Sequence, residues 1–357
     1  MSADASDIAP TDGSFLPADH PRIAPRKVGA LLVNLGTPDE PTPGAVRRYL
    51  REFLSDERVV DYPRALWALV LHGIILNTRP AKTAKAYHSI WMHDESESPL
   101  RYYTRLQAEK VQERLGADVV VDYAMRYGNP SIASRLDALQ KAGCDRILVI
   151  PLYPQYSATT TATVCDAVFD ALKSMRWTPA VRIAPPFHDE LRYIKALAAS
   201  CRRSFQASGN LPERVVISFH GLPERYFRDG DPYHCHCQKT ARLLREEMGW
   251  TSDYAPLTFQ SKFGPEKWLG PATDETIERL AAEGVKRIAV ITPGFVADCI
   301  ETLEEIGIAA RESFEAAGGE ELTLIPCLNA DDAAIDLYET LARRELSGWV
   351  GQSATVS

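Results

Sequence analysis

Short runs of aliphatic and β-branched residues recur along the chain, and the stretches between them carry apolar residues at the three-to-four spacing of helices. The runs fall at 28–34, 118–125, 146–152 and 181–184, and again at 214–219, 252–259, 287–291 and 322–326. Strands alternating with helices in this way predict an α/β protein in which crossover helices flank parallel strands. Four runs followed by four more predict two similar domains, each with a four-stranded parallel sheet and with a cleft between them.

Three junctions repeat in the same order in the two halves. Leu35-Gly36-Thr37-Pro38 follows the first run and His220-Gly221-Leu222-Pro223 follows the fifth. Gly128-Asn129-Pro130 is matched by Gly264-Pro265, and Gly143-x-x-Arg146-Ile147 by Gly284-x-x-Arg287-Ile288. The last pair reads as a helix-terminating glycine feeding a buried strand. Gly36 and Gly128 lie 92 positions apart whereas Gly221 and Gly264 lie 43 apart, so the first half carries an insertion. The expected organisation is a domain over 27–184 with the insertion at about 39–117, a second domain over 185–329 and a C-terminal helix over 330–346. Residues 1–26, with Asp4, Asp7, Asp12 and Asp19, read as a disordered acidic tail, and 347–357 as a flexible one.

Composition narrows the function. The 357 residues are 45% hydrophobic and 25% charged, with a net charge of −8 that disfavours nucleic acid as a partner. Seven cysteines, mostly scattered, do not make a disulfide framework. The apolar run Ala65–Leu76 is shorter than the roughly 20 residues a bilayer span needs. It reads either as a buried helix or as a lip that touches a membrane surface or covers an apolar ligand. Glycine-rich phosphate loops, H-E-x-x-H and G-x-S-x-G are absent, which disfavours nucleotide and triad chemistry.

What remains sits after the strands, where open α/β sheets bind ligands. His220 directly follows a strand; an imidazole there can take a proton or ligate a metal, or can simply cap the strand. Asp298, Glu301 and Glu305, at i, i+3 and i+7, are expected on one face of a helix starting near Asp298, as a carboxylate row that holds a cation or passes protons. Favourable charge at a helix N-terminus accounts for Asp298, but like charges at i, i+4 cost stability at Glu301 and Glu305. Arg126-Tyr127 and Ser261-Lys262 occupy matching places in the two halves and suggest opposed contacts to an anion, to which Arg79 would add. Trp268, Tyr153, Tyr156, Phe187 and Phe295 would line a flat apolar pocket or belong to the core. His234-Cys235-His236-Cys237 alternates sides if extended and reads as a reduced loop rather than a metal site.

Several segments together resemble ferrochelatase. They include Leu32-Val-Asn-Leu-Gly-Thr-Pro38, Ser98-Pro-Leu100, Met125-Arg-Tyr127, Pro151-Leu-Tyr-Pro-Gln-Tyr-Ser157, Ser218-Phe-His-Gly-Leu-Pro223 and Gly230-Asp-Pro-Tyr233. Phe259-Gln-Ser-Lys262, Trp268-Leu-Gly-Pro271 and Pro293-Gly-Phe-x-x-Asp-x-x-Glu-Thr-Leu303 complete the set, which runs in family order from about Val28 to Leu328. The resemblance implies Rossmann-like, chelatase-type domains and insertion of Fe²⁺ into protoporphyrin IX, with loss of two protons, as the last step of heme biosynthesis. It implies that His220 and Glu301 are the catalytic and metal-binding pair and that Asp298 and Glu305 extend an acidic path. Leu35, Arg79, Arg126, Tyr127, Lys262 and Trp268 would contact the porphyrin. Fe²⁺ would be a substrate and no cofactor is required. An iron–sulfur cluster of the animal type is not expected, because Ala158 stands where a cysteine would and the Cys-rich C-terminal extension is missing. The histidine that often neighbours the family glutamate is Cys299 here. The implied location is cytoplasmic, with room for peripheral contact at the inner membrane surface through 65–76. A tetrapyrrole carrier would share the cleft without needing the base, and a chelatase for another metal or for coproporphyrin would share both.

Overall fold

The computed structural model describes residues 26–350. All but one residue of the expected acidic tail lies outside them, as do residues 351–357. The first sheet contains β1 (Lys27–Thr37), β2 (Val119–Gly128), β3 (Cys144–Pro151) and β4 (Ala180–Ile183) in the order β2-β1-β3-β4. The second contains β5 (Arg214–His220), β6 (Leu257–Gln260), β7 (Arg287–Ile291) and β8 (Glu321–Leu324) in the order β6-β5-β7-β8. Every strand pair is parallel. The chain is thus an α/β protein with two four-stranded parallel sheets flanked by helices. The same order in both sheets puts β1 and β5, each first in its half, at corresponding inner positions where the winding reverses, and ligands bind at such switch points.

Residues 39–117 are mostly helical. They form α1 (Pro43–Leu54), α2 (Arg64–Val70), a π-helical turn at Leu71–Ile75, α3 (Leu76–Ile90) and α4 (Pro99–Leu115). Thr42 and Ser98 cap α1 and α4 with their hydroxyls, and a proline follows each cap at the first helical position, where its missing N–H costs nothing. The π turn carries the helix from α2 into α3 without a break. The remaining helices are α5 (Ile132–Lys141), α6 (Thr163–Ser174), α7 (Leu191–Ser208), α8 (Glu224–Arg228), α9 (Tyr233–Met248), α10 (Thr273–Ala282), α11 (Ile300–Leu303), α12 (Arg311–Ala316) and α13 (Asp332–Glu345). One buried cluster joins Leu32 and Ile150 of the first sheet to Tyr193 and Leu197 of α7, Ile217 and Phe219 of the second sheet, and Leu337 and Leu341 of α13. The two sheets therefore share a core.

Three expectations need correction here. β6 starts at Leu257 rather than Ser252, because Thr251 closes a turn by accepting the amides of Tyr254 and Ala255 at 3.1 and 3.0 Å. His234–Cys237 is the first turn of α9 rather than an extended loop: Pro232 precedes it and the Asp231 carboxylate accepts the Tyr233 amide at 3.0 Å. Residues 347–350 are not a flexible tail. Trp349 lies under the Arg182 guanidinium, 4.1 Å from its ring centre, and Arg182 donates to the Ser347 carbonyl at 2.9 Å.

Backbone proximity between β1 and β2 leaves no room for a side chain at Gly36, which has φ of +119° and whose missing Cβ would lie 1.9 Å from the Tyr127 carbonyl oxygen. Gly36→Ala is expected to destabilise the protein by about 2–4 kcal/mol through strain and displacement of β2. Urea unfolding checks this as a lower midpoint at unchanged m value.

Candidate active site

His220 is the last residue of β5, and its side chain has a defined orientation. Nδ1 lies 2.6 Å from the Gly221 carbonyl oxygen, and a carbonyl can only accept, so Nδ1 carries the hydrogen and Nε2 of the neutral ring keeps a free lone pair. The Tyr233 hydroxyl donates to the His220 carbonyl at 2.9 Å and holds the strand end from beneath. Phe295 lies beside the ring, 6.5 Å centre to centre, and Trp268 packs against Gly221, 3.1 Å from where a Cβ would stand. The Trp268 Nε1 is buried without a partner.

Glu301 comes from the loop and short helix after β7. Burial pushes its carboxyl above the ordinary glutamate range, and Glu305 adds to the rise, while the positive charge His220 can carry and the Cys299 thiol pull it part of the way back. Behind it is a cavity of about 10 Å³, lined by Gly36, Tyr49, Tyr87, Ser98, Cys299 and Glu301. That is room for about one water. Burial also raises the Tyr49 and Tyr87 hydroxyls well above their usual range, so both stay neutral next to the carboxyl.

The other two carboxylates of the expected row have different surroundings. The helix starts at Ile300 with Cys299 as its cap, so Asp298 precedes it and does not share a helical face with Glu301. Its buried carboxylate accepts from Asn329 Nδ2 at 2.6 Å, from the Thr302 hydroxyl at 3.1 Å and from the Cys327 amide at 3.2 Å. Glu305 begins a π-helical turn, Glu305–Ala310, which breaks the i, i+4 phase. It accepts from the Ser261 amide at 2.7 Å, the Ser261 hydroxyl at 2.6 Å and Gln260 Nε2 at 3.3 Å. The same Gln260 nitrogen donates to the Glu301 carbonyl at 2.7 Å, tying β6 to the Glu301 helix.

The basic and aromatic candidates divide. Tyr127 is 1% exposed and packs edge-on against Phe53, with its hydroxyl donated to Asp56 at 2.9 Å; it is wall rather than ligand surface, because β2 continues to Gly128 and turns it inward. Arg126 bonds the same Asp56 oxygen at 2.5 Å. Arg79 reaches from α3 to the second half, its guanidinium 4.0 Å above the Phe263 ring, and burial lowers its pKa. Lys262 stands at the rim, half exposed and 3.8 Å from Glu275. Leu35, half-buried, holds in β1 the place that His220 holds in β5, and packs with Leu100, Phe295 and Cys299. Phe187 and Tyr153 are core. Sequence reasoning missed Asp56, Tyr49, Tyr87, Gln260 and Asn329. Of these only Gln260 carried a signal, as the strand-ending polar residue before Ser261.

The ferrochelatase family model matches residues 27–346, both sheets and every element around the site. The chain belongs to the ferrochelatase family. It is 59% identical to a ferrochelatase of Rhizobium meliloti over 93% of this chain and 98% of that one, and 56% identical to one of Agrobacterium fabrum over 95% and 99%. A ferrochelatase of Rhodopseudomonas palustris is 52% identical over 96% and 99%. Among solved structures, SirB from Bacillus subtilis with Fe³⁺ superposes with a TM-score of 0.56 at 14% identity, covering 91% of this chain and 98% of that one, a likeness of fold.

The raised Glu301 pKa makes a prediction about stability. Between the ordinary glutamate range and the raised value, the folded protein holds a proton that the unfolded chain has released, so stability falls as pH rises through that window. Glu301→Gln removes the penalty. Thermal unfolding should show the variant more stable than wild type at pH 7, with the gap closing toward pH 4; a less stable variant at pH 7 would contradict the burial argument.

Proposed function

We propose that the space between the ends of β1 and β5 is where the protein carries out the ferrochelatase reaction, with His220 and Glu301 as its reacting groups. The reaction inserts Fe²⁺ into protoporphyrin IX and releases the two pyrrole protons, giving protoheme. The observation that carries the assignment is the bond from His220 Nδ1 to the Gly221 carbonyl, which leaves Nε2 as an open base close enough to Glu301 to influence its titration. Two protons must leave, and two groups can receive them. The Nε2 lone pair takes one, and a glutamate with a raised pKa can hold another nearer to neutral pH. Nitrogen and carboxylate oxygen also suit transient contact with ferrous iron, since neither grips it as a thiolate would. Leu35 and Trp268 supply apolar surface on either side, and Arg79, Arg126 and Lys262 supply positive charge for the two propionates, with Arg126 shared with Asp56.

The apolar segment 65–76 supports a second part of the reading. Leu66, Leu69 and Ile74 are 60%, 73% and 59% exposed, whereas Leu71, Ile75 and Leu76 are buried beneath them. An exposed apolar row on a well-packed helix marks an interaction surface, and we assign it to the membrane face from which a water-insoluble porphyrin arrives. No helix among the described residues is long and apolar enough to cross a membrane, and the reading is of a peripheral contact.

Anaerobic insertion of Fe²⁺ into protoporphyrin IX, followed by absorbance, tests the chemistry. His220→Ala should lower kcat by about 10²- to 10⁴-fold while porphyrin binding stays within a few-fold. Tight porphyrin binding with no insertion by the wild type would indicate a carrier instead. For the lip, polar substitution of Leu69 and Ile74 should raise KM for porphyrin supplied in liposomes and weaken liposome binding. Unchanged kinetics and unchanged binding would refute the membrane contact.

A further inference from the structure

Asn329 sits after β8 with φ of +48°, a left-handed conformation that asparagine tolerates better than most residues. Every polar group on it is used. Its amide donates to the Val296 carbonyl at 2.9 Å, and its carbonyl accepts from Gln107 of α4 at 2.7 Å. Its side chain clasps one residue twice: Oδ1 accepts the Asp298 amide at 2.8 Å and Nδ2 donates to the Asp298 carboxylate at 2.6 Å. Asp298 in turn accepts the Thr302 hydroxyl at 3.1 Å, and that hydroxyl accepts the Cys299 amide at 3.0 Å. These bonds close a ring around residues 298–302, and Glu301 is the one side chain of that turn with a carboxylate left for other work.

We propose that Asn329 is a positioning residue for the insertion reaction, and that Asp298 serves as its partner in holding the Glu301 turn rather than as a member of a proton path. The inference rests on Glu301 being a reacting group. Asp298 is 6% exposed, and a buried carboxylate with three donors on it is satisfied and held fast. Since Asn329 is also bonded to α4 of the first half, it references Glu301 to the β1 side of the cleft as well as to its own sheet. An error of about 1 Å in a reacting group can cost on the order of 10²-fold in rate.

The charge pattern of the clasp permits a swap. In N329D two carboxylates face each other; in D298N two amides do. In the double variant D298N/N329D the amide at position 298 donates to the carboxylate at 329, and every other bond keeps its direction. We expect each single variant to lose about 10- to 100-fold in kcat, with KM for porphyrin and porphyrin binding by fluorescence quenching changed by less than about 3-fold, and the double variant to recover most of the loss. N329G, which keeps the left-handed backbone and removes the clasp, should behave like the singles. If the double variant stays as inactive as D298N, position 298 requires a carboxylate and the proposal is wrong. Wild-type kcat in N329G also overturns it. Glu301→Gln is the separate control: full activity there removes the assignment of Glu301 itself, whereas loss there together with an active N329G removes only the role of Asn329.

Discussion

A carboxyl group drawn largely into the protein is the constraint around which this site is arranged. Taking Glu301 out of solvent raises its pKa, and that cost has to be met by structure that would otherwise have no reason to converge on one turn. The neutral hydroxyls of Tyr49 and Tyr87 and the end of β1 at Gly36 enclose it from the first half, and the Cys299 thiol lies beside it on its own turn. Gln260 and Asn329 fix its backbone from the second, directly in one case and through Asp298 in the other. Both halves are therefore needed to make the environment of a single side chain, which fits a core that runs without a break from Leu32 to Leu341.

The two parallel sheets position the partners of this carboxyl in a way that a single sheet could not. β1 and β5 hold equivalent places in matching sheets, and Leu35 near the end of one stands where His220 ends the other. Symmetry in the backbone thus delivers an apolar side chain and a base to corresponding positions. The insertion then breaks the symmetry: α3 carries Arg79 to Phe263, and the loop before α2 reaches α8, where Arg225 binds Asp61 at 2.7 Å and the Tyr226 hydroxyl donates to the Val59 carbonyl at 3.2 Å. These links cross between the halves near the opening, where they bear on how far it can widen.

The strands and the repeat were legible because parallel strands buried on both faces write themselves as continuous apolar runs, and because the glycines that end helices recur at matching places. His220 was legible for the same reason, as a polar residue directly after such a run. Spacing misled where helix phase was assumed. Asp298 looks like the start of a carboxylate row only if the helix begins there, and the Cys299 cap delays it to Ile300; the π turn at 305 then rotates Glu305 out of phase. Tyr127 was misread because nothing in the sequence told how far β2 continues. Asp56 and Asn329 left no trace at all, since their importance comes from partners more than 30 residues away, Arg126 for one and Asp298 for the other.

Asp298, Glu301 and Glu305 look interchangeable as charges and differ by what already occupies their oxygens. Asp298 is saturated by an amide nitrogen, a hydroxyl and a backbone N–H. Glu305 is saturated by Ser261 and Gln260 and serves as a fixed link between β6 and the helix. Glu301 has only a thiol and its own local backbone, in surroundings that penalise charge. Its oxygens are the ones not claimed by donors from other elements, and this difference in occupancy, more than position in a row, sets it apart from the other two.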